Sequence, residues 1–208
     1  MISTVFSLFF AFFPLADFTS FTYCHENTRG PYETQCIQLD AEAKGEVKFK
    51  RREAETVNVP IQLSTAAREK FIAVVAGTNY LDHPETFESG KKIADLGAKH
   101  VTIEMAGGKR EATFNYSMRK DVTELSTFFE GLINQETLEF DIRNAMQFEK
   151  LSMPKRLEHV ENELKANRIS DPDRLIPILE KIEADQQIMN YARTQAAKIK
   201  KQIQAAKK

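Results

Sequence analysis

Two thiols and four imidazoles are the side chains of this sequence best suited to covalent, metal or acid–base chemistry. Cys24 and Cys36 are too few for a four-thiolate zinc site or a disulfide-dense scaffold, but they suffice for one bridge. The imidazoles are His25, His83, His100 and His159, and none has a second His or Cys at the spacing of a metal-ligand pair. His25 and Cys24 do not form one either, because neighbouring strand residues point to opposite faces. Asp82-His83-Pro84-Glu85 is the one polar loop cluster with the residue types of general acid–base work. Such loops are common, and the expectation here is a solvated loop. Glu104 and Glu111 fall on the solvent side of a hairpin and read as surface charges. Gly90-Lys91-Lys92 lacks the spaced upstream glycine of a phosphate-cradling loop, and Gly107-Gly108 joins two alternating runs as a turn. Neither His-Glu-x-x-His nor Gly-x-Ser-x-Gly occurs. No residue is assigned a catalytic, cofactor-binding or metal-binding role, and no cofactor is expected.

Binding chemistry is a different matter. Phe21, Tyr23, Phe49, Phe114 and Tyr116 recur on one face of the alternating segments. They line an apolar pocket if the sheet is hollow, and form its core if a helix covers it; core is the expectation. Lys48, Lys50, Arg51 and Arg52 make a basic rim that is either an anion-binding surface or a solvated strand face, the latter being expected.

These residues sit on recognisable elements. Phe21, Tyr23 and His25 alternate with Thr22, Cys24 and Glu26, and Gln35 to Leu39 alternates again across a turn at Thr28-Arg29-Gly30-Pro31. Folding the chain about Gly30 sets Cys24 opposite Cys36, Tyr23 opposite Ile37 and Phe21 opposite Leu39, so one register satisfies both faces. A Cys24–Cys36 disulfide follows if the compartment is oxidising. The N-terminal stretch Met1 to Ala16 has no charged side chain and an apolar run from Val5 to Leu15. That length matches the core of a signal peptide cleaved after Ala16 and falls short of a membrane span, although no Lys or Arg precedes it. Tyr23 before Cys24 argues against a lipoprotein. The expectation is an exported, periplasmic or secreted chain with no transmembrane segment after cleavage.

A third strand at Glu46–Lys50 is expected to pair Leu39 with Val47 and Ile37 with Phe49. A fourth at Thr56–Ile61 belongs at an edge, since Pro60 has no N–H to donate. Ser64 or Thr65 caps a helix carrying Phe71, Ile72, Val75 and Ala76, which ends at Gly77 and Asn79. Ile93 to Gly97 reads as a short strand. A hairpin from His100 to Tyr116 is expected to set Ile103 against Ala112 and Val101 against Phe114. From Asp121 the period becomes 3.6. Asp121 caps a helix to about Asn134; a second runs from Leu138 to Leu151, before Pro154; a third carries Leu157, Val160 and Leu164. A fourth is capped by Ser170 or Asp171. The last carries Ile188 to Ile199 and frays into a basic tail of Lys198, Lys200, Lys201, Lys207 and Lys208.

Across 208 residues, 29 Lys and Arg face 30 Asp and Glu, a net charge of −1 that lacks the surplus cations of a dedicated nucleic-acid binder. The hydrophobic share of 42% and charged share of 28% place the chain among globular proteins.

Two resemblances accompany this reading. Leu175-Ile176-Pro177-Ile178-Leu179, Asp185, Ala192-Arg193 and Ala196-Ala197 resemble a single HEAT-type repeat, which implies a helix pair stacked on its neighbours. Phe21-Thr22-Tyr23, Lys50-Arg51-Arg52 and Phe114-Asn115-Tyr116-Ser117 are similar to motifs of uncharacterised secreted proteins of acidobacteria-like bacteria. That resemblance implies export and carries over no site.

The expected fold is α+β: a small antiparallel sheet with one covering helix over 17–120, then a bundle of four or five helices over 121–208, preceded by the signal peptide at 1–16. The expected function is non-enzymatic binding of a protein partner in the cell envelope. The alternatives are an apolar-ligand or lipid-binding module using the aromatic face, and a hydrolase without a recognisable motif.

Overall fold

The computed structural model describes residues 17–27 and 31–206; the expected signal peptide lies outside them. Six strands, β1 (Ser20–Glu26), β2 (Tyr32–Asp40), β3 (Lys44–Arg51), β4 (Thr56–Gln62), β5 (Ala98–Met105) and β6 (Gly108–Phe114), form one antiparallel sheet. Their order is β4-β3-β2-β1-β5-β6, so β4 and β6 are the edges. Helix α1 (Thr65–Gly77) carries the chain from one edge region to the other. Then come α2 (Lys120–Phe148), α3 (Met153–Lys165), α4 (Ile176–Ala184) and α5 (Asn190–Ala205). The expected α+β architecture is present, with the helices at the C-terminal side of the sequence.

Strand alternation explains the sheet's two faces. Phe21, Tyr23, Ile37, Leu39, Val47, Phe49, Val101, Ile103, Ala112 and Phe114 all point inward and are buried. α1 and the first half of α2 cover them, with Phe71, Val75, Leu125, Phe129 and Leu132 completing this core. Cys24 and Cys36 lie opposite one another on the other face, half-buried, with Cα atoms 4.1 Å apart, and are joined by a disulfide. The β1–β2 register is the expected one at all three pairs.

Two other registers differ from expectation. Leu39 pairs with Gly45 and Ile37 with Val47, while Phe49 pairs with Gln35. Likewise Val101 pairs with Ala112 and Phe114 with Lys99. Each shift is two residues, so the same side chains stay inward. The turns are tighter than their sequences imply. Asp40 accepts the backbone N–H of Ala43 on its carbonyl and that of Lys44 on its carboxylate, with Ala43 at φ +61°. Gly45 then passes so close to β2 that a Cβ would meet the Gln38 carbonyl oxygen at 1.8 Å. In the β5–β6 hairpin only Ala106 and Gly107 separate the paired Met105 and Gly108.

Residues 93–97 are not a strand. Asn115 holds them by donating to the Ala94 carbonyl and accepting the Leu96 N–H. Ser64 is the N-cap of α1, its hydroxyl accepting from the Ala67 N–H. Asp171 is the N-cap residue of the short turn Pro172–Leu175 that leads into α4, but its side chain makes no capping hydrogen bond there. Its carboxylate accepts from the backbone N–H and hydroxyl of Ser64, at 2.8 and 2.6 Å, and so ties the start of α1 to the helical region.

The two helices expected between Asp121 and Leu151 are one, the 29-residue α2. Its start is at Lys120 with Arg119 as the cap residue, so Asp121 sits inside the first turn, where a carboxylate suits the helix dipole. The polar run Asn134-Gln135-Glu136-Thr137 is not a break. Thr137 donates to the Ile133 carbonyl, Asn134 to Glu163, and Gln135 accepts from the Asp171 N–H. Glu136 pairs with Arg174. The second half of α2 (Leu138, Ile142, Ala145) packs with α3, α4 and α5 in an entirely aliphatic core. The basic end is also more ordered than expected: α5 runs to Ala205, Ile203 is buried, and Lys198 and Lys200 pair with Glu161 and Glu183.

Candidate functional site

The residues singled out as an aromatic stripe are mostly packed away. Phe21 and Tyr23 stack on Phe129, with ring centres 4.8 and 5.4 Å apart. Phe49 meets Phe140 edge-on and Phe114 meets Phe87. Only Tyr116, at 40% exposure, reaches the surface. The sheet face is therefore filled by α1 and α2. His83 stands at the opposite extreme: its side chain is 74% exposed, at φ +55°, near Asp82 and Glu85 on open surface.

The structure instead assembles a cleft of about 560 Å³ where the sheet passes beneath α2 toward α3. Three strands end here side by side. β1 contributes His25, β2 contributes Tyr32 and Gln35, and β3 contributes Arg51. A register irregularity between Tyr32 and Thr34 sets Tyr32 directly opposite Arg51. Such bulges re-aim side chains. Here Tyr32 turns inward onto Phe49, while Glu33 pairs with Lys50 on the outside. α2 supplies Glu130, Ile133, Asn134, Thr137, Leu138 and Asp141, which share one face at helical spacing. His159 on α3 closes the far side.

An ionic chain borders the cleft. Arg51 donates to the Tyr32 hydroxyl through Nε (3.2 Å) and Nη2 (2.9 Å), and its Nη2 also reaches Asp141 at 2.7 Å. The Tyr32 hydroxyl and Asp141 raise the affinity of Arg51 for its proton. Arg156 reaches the other oxygen of Asp141 at 3.3 Å. A smaller hollow of about 260 Å³ continues from here along α3, sharing Leu138, Asp141 and His159 and adding Lys155 and Arg156. At the opposite end Tyr23 donates to Glu130 at 2.9 Å, and Lys99 stands 3.8 Å from the same oxygen. Burial, then the Glu130 charge, pushes the Tyr23 phenol well above its ordinary pKa, so it stays protonated as a donor.

Both carboxylates of the cleft are thus held by cations or a phenol, and neither is coupled to an imidazole or a nucleophilic hydroxyl. His25 lies against the Leu96 carbonyl at 3.1 Å. Among the described residues no cluster of three His, Cys, Asp or Glu stands where a metal would be held, and no helix is long and apolar enough to cross a membrane.

Of these residues the sequence singled out Arg51, as part of a basic rim, and His25 and His159, as imidazoles without a metal-ligand spacing. Tyr32, Glu130 and Asp141 were not apparent. Their signal is a polar stripe at Glu130, Asn134, Thr137 and Asp141, visible only once α2 is read as continuous. No protein-family model matches the chain, and no curated protein matches it either.

Proposed function

We propose that this chain is a non-enzymatic binding protein of the bacterial cell envelope, exported by its N-terminal segment, and that a protein partner occupies the cleft between β1–β3 and α2–α3. The observation that carries this reading is the cleft itself. It joins the sheet and the helices, its floor is apolar (Ile133, Leu138), and its two carboxylates, Asp141 and Glu130, are engaged by guanidiniums and by a phenol rather than by an imidazole. The disulfide supports an oxidising compartment. So does the resemblance of Phe21-Thr22-Tyr23 and Phe114-Asn115-Tyr116-Ser117 to secreted proteins. The filled sheet face leaves the apolar-ligand alternative without its pocket, and the open surface around His83 gives a hydrolase no enclosed site.

The test is a photo-activated cross-linker at Gln35, on the cleft wall, in intact cells of the source organism. One stoichiometric protein product is expected, lost when the cross-linker is moved to Thr102 on the outer sheet face. Background products alone, or the same product from both positions, would overturn the reading.

A further inference from the structure

We propose that the cleft takes an organic carboxylate carried on an apolar stem, the carboxylate lodging among Arg51, Lys155, Arg156 and His159; this rests on the cleft being the binding site. Three observations lead here.

The first is charge balance. Asp141 is one carboxylate serving two guanidiniums, Arg51 and Arg156. Lys155 lines the same hollow, and among the described residues no carboxylate lies within ion-pair distance of it. The cleft's other acid, Glu130, sits at the far end with Tyr23 and Lys99. The α3 end therefore carries surplus positive charge.

The second is where those cations sit. Lys155 and Arg156 occupy the first turn of α3, which has no acidic residue. Cations at a helix N-terminus oppose the helix dipole. Local rules are broken in this way mainly where function compensates, and a bound anion would be that compensation.

The third is a donor. The Tyr32 oxygen already accepts two hydrogen bonds from Arg51, so its own hydrogen is free to point elsewhere. Arg51 holds the phenol in place, and the hydrogen is a preset donor to an anionic oxygen. Beside it Ile133, Leu138 and the Tyr32 ring offer apolar contact for a stem, in a cleft of the volume small ligands use.

The carboxylate could belong to a free small acid or to an acidic residue of a partner chain, and the probes separate the two. The oxidised full-length protein is titrated, by amide NMR, with 4-phenylbutyrate, with its neutral amide 4-phenylbutyramide, and with a capped peptide holding one glutamate between two leucines. The expectation is shifts at Tyr32, Gln35 and Arg156 with either acid. Binding of the acid should exceed that of the amide by about tenfold, as one charge-assisted contact implies. K155Q, at an exposed position, and R156Q, at a half-buried one, should each remove most of that preference, and R156K should restore part of it. Whichever acid binds tighter names the source. Equal binding of acid and amide, shifts mapping away from the cleft, or no shift at all would overturn the proposal. A partner cross-linked at Gln35 without any carboxylate preference would refute this inference and leave the binding reading standing. Carboxylate binding with no cross-linked partner would do the reverse.

Discussion

The two halves of this molecule are built from different materials. The sheet half is aromatic: nine Phe and Tyr side chains, among them Phe21, Tyr23, Phe49, Phe71 and Phe129, fill its core. The helical half is aliphatic, with Leu, Ile, Val, Ala and Met alone in its buried cluster. Large flat rings cover a broad, gently twisted surface with few side chains, and edge-on contacts lock them in orientation. Branched aliphatics suit the ridges and grooves between helices. Polar economy differs too. The sheet half has a covalent bridge on its outer face, whereas the helical half uses ion pairs with one member buried: Glu136–Arg174 ties α2 to the turn before α4, and Glu163–Arg168 ties α3 to the loop that follows it. α2 belongs to both. Its first half presents Phe128 and Phe129 and its second half Leu138 and Ile142, and the cleft opens where one material gives way to the other.

If α2 couples the halves, damage to one should be felt in the other. Phe129→Ala removes the ring that Phe21, Tyr23 and Phe71 all touch. It should cost about 3–5 kcal/mol of unfolding free energy. Hydrogen exchange should then quicken in α4 and α5 as well as in β1 and β2. Retained protection in α4 and α5 would show that the halves unfold separately.

Replacing both cysteines by serine tests the covalent device. The bridge spans a sequence separation of 12 residues, and its loss should cost about 3 kcal/mol, chiefly by freeing the unfolded chain. Chemical denaturation of the variant against the oxidised protein measures this. An unchanged midpoint would mean that the β1–β2 pairing needs no tether.

The smallest effect concerns the ionic device. Arg168 grips Glu163 at 2.8 and 2.5 Å and, with help from Asn134, holds its pKa below the usual carboxylate range. A depressed carboxylate stabilises the fold above its unfolded pKa, and that contribution is lost as pH falls through the folded value. Glu163→Gln should lower Tm at pH 7 by about 2–4 °C. Between pH 5 and pH 3 its Tm should fall less than that of the parent protein. Parallel pH profiles would remove Glu163 from the account.

What could be read from the residues follows the same divide. The β1–β2 register was legible because two constraints coincide: the cysteines fix one face while Phe21, Tyr23, Ile37 and Leu39 fix the other. In the β2–β3 and β5–β6 pairs only alternation was available. A shift of two residues leaves alternation unchanged, so only the turn could decide the register. The β2–β3 turn depends on a carboxylate cap at Asp40 and a close approach of Gly45 to β2, which are tertiary details. α2 was split because Asn134 to Thr137 looks like a loop when its partners, Glu163, Asp171 and Arg174, lie about thirty or more residues away. The cleft was hidden for the same reason. It draws on three strands and two helices, and no short segment carries its pattern.

Pro60 lies within the outermost strand, β4, opposite Glu46. β4 carries no charged side chain, whereas the other edge has Lys109, Arg110 and Glu111. An uncharged outer strand is a template on which a second copy can zip edge to edge, and one imino acid deprives that template of a donor. The Pro60 ring is therefore the feature of β4 that opposes edge-to-edge association. A variant with threonine at this position should keep the fold and begin to self-associate, visible as a scattering intensity that grows with concentration.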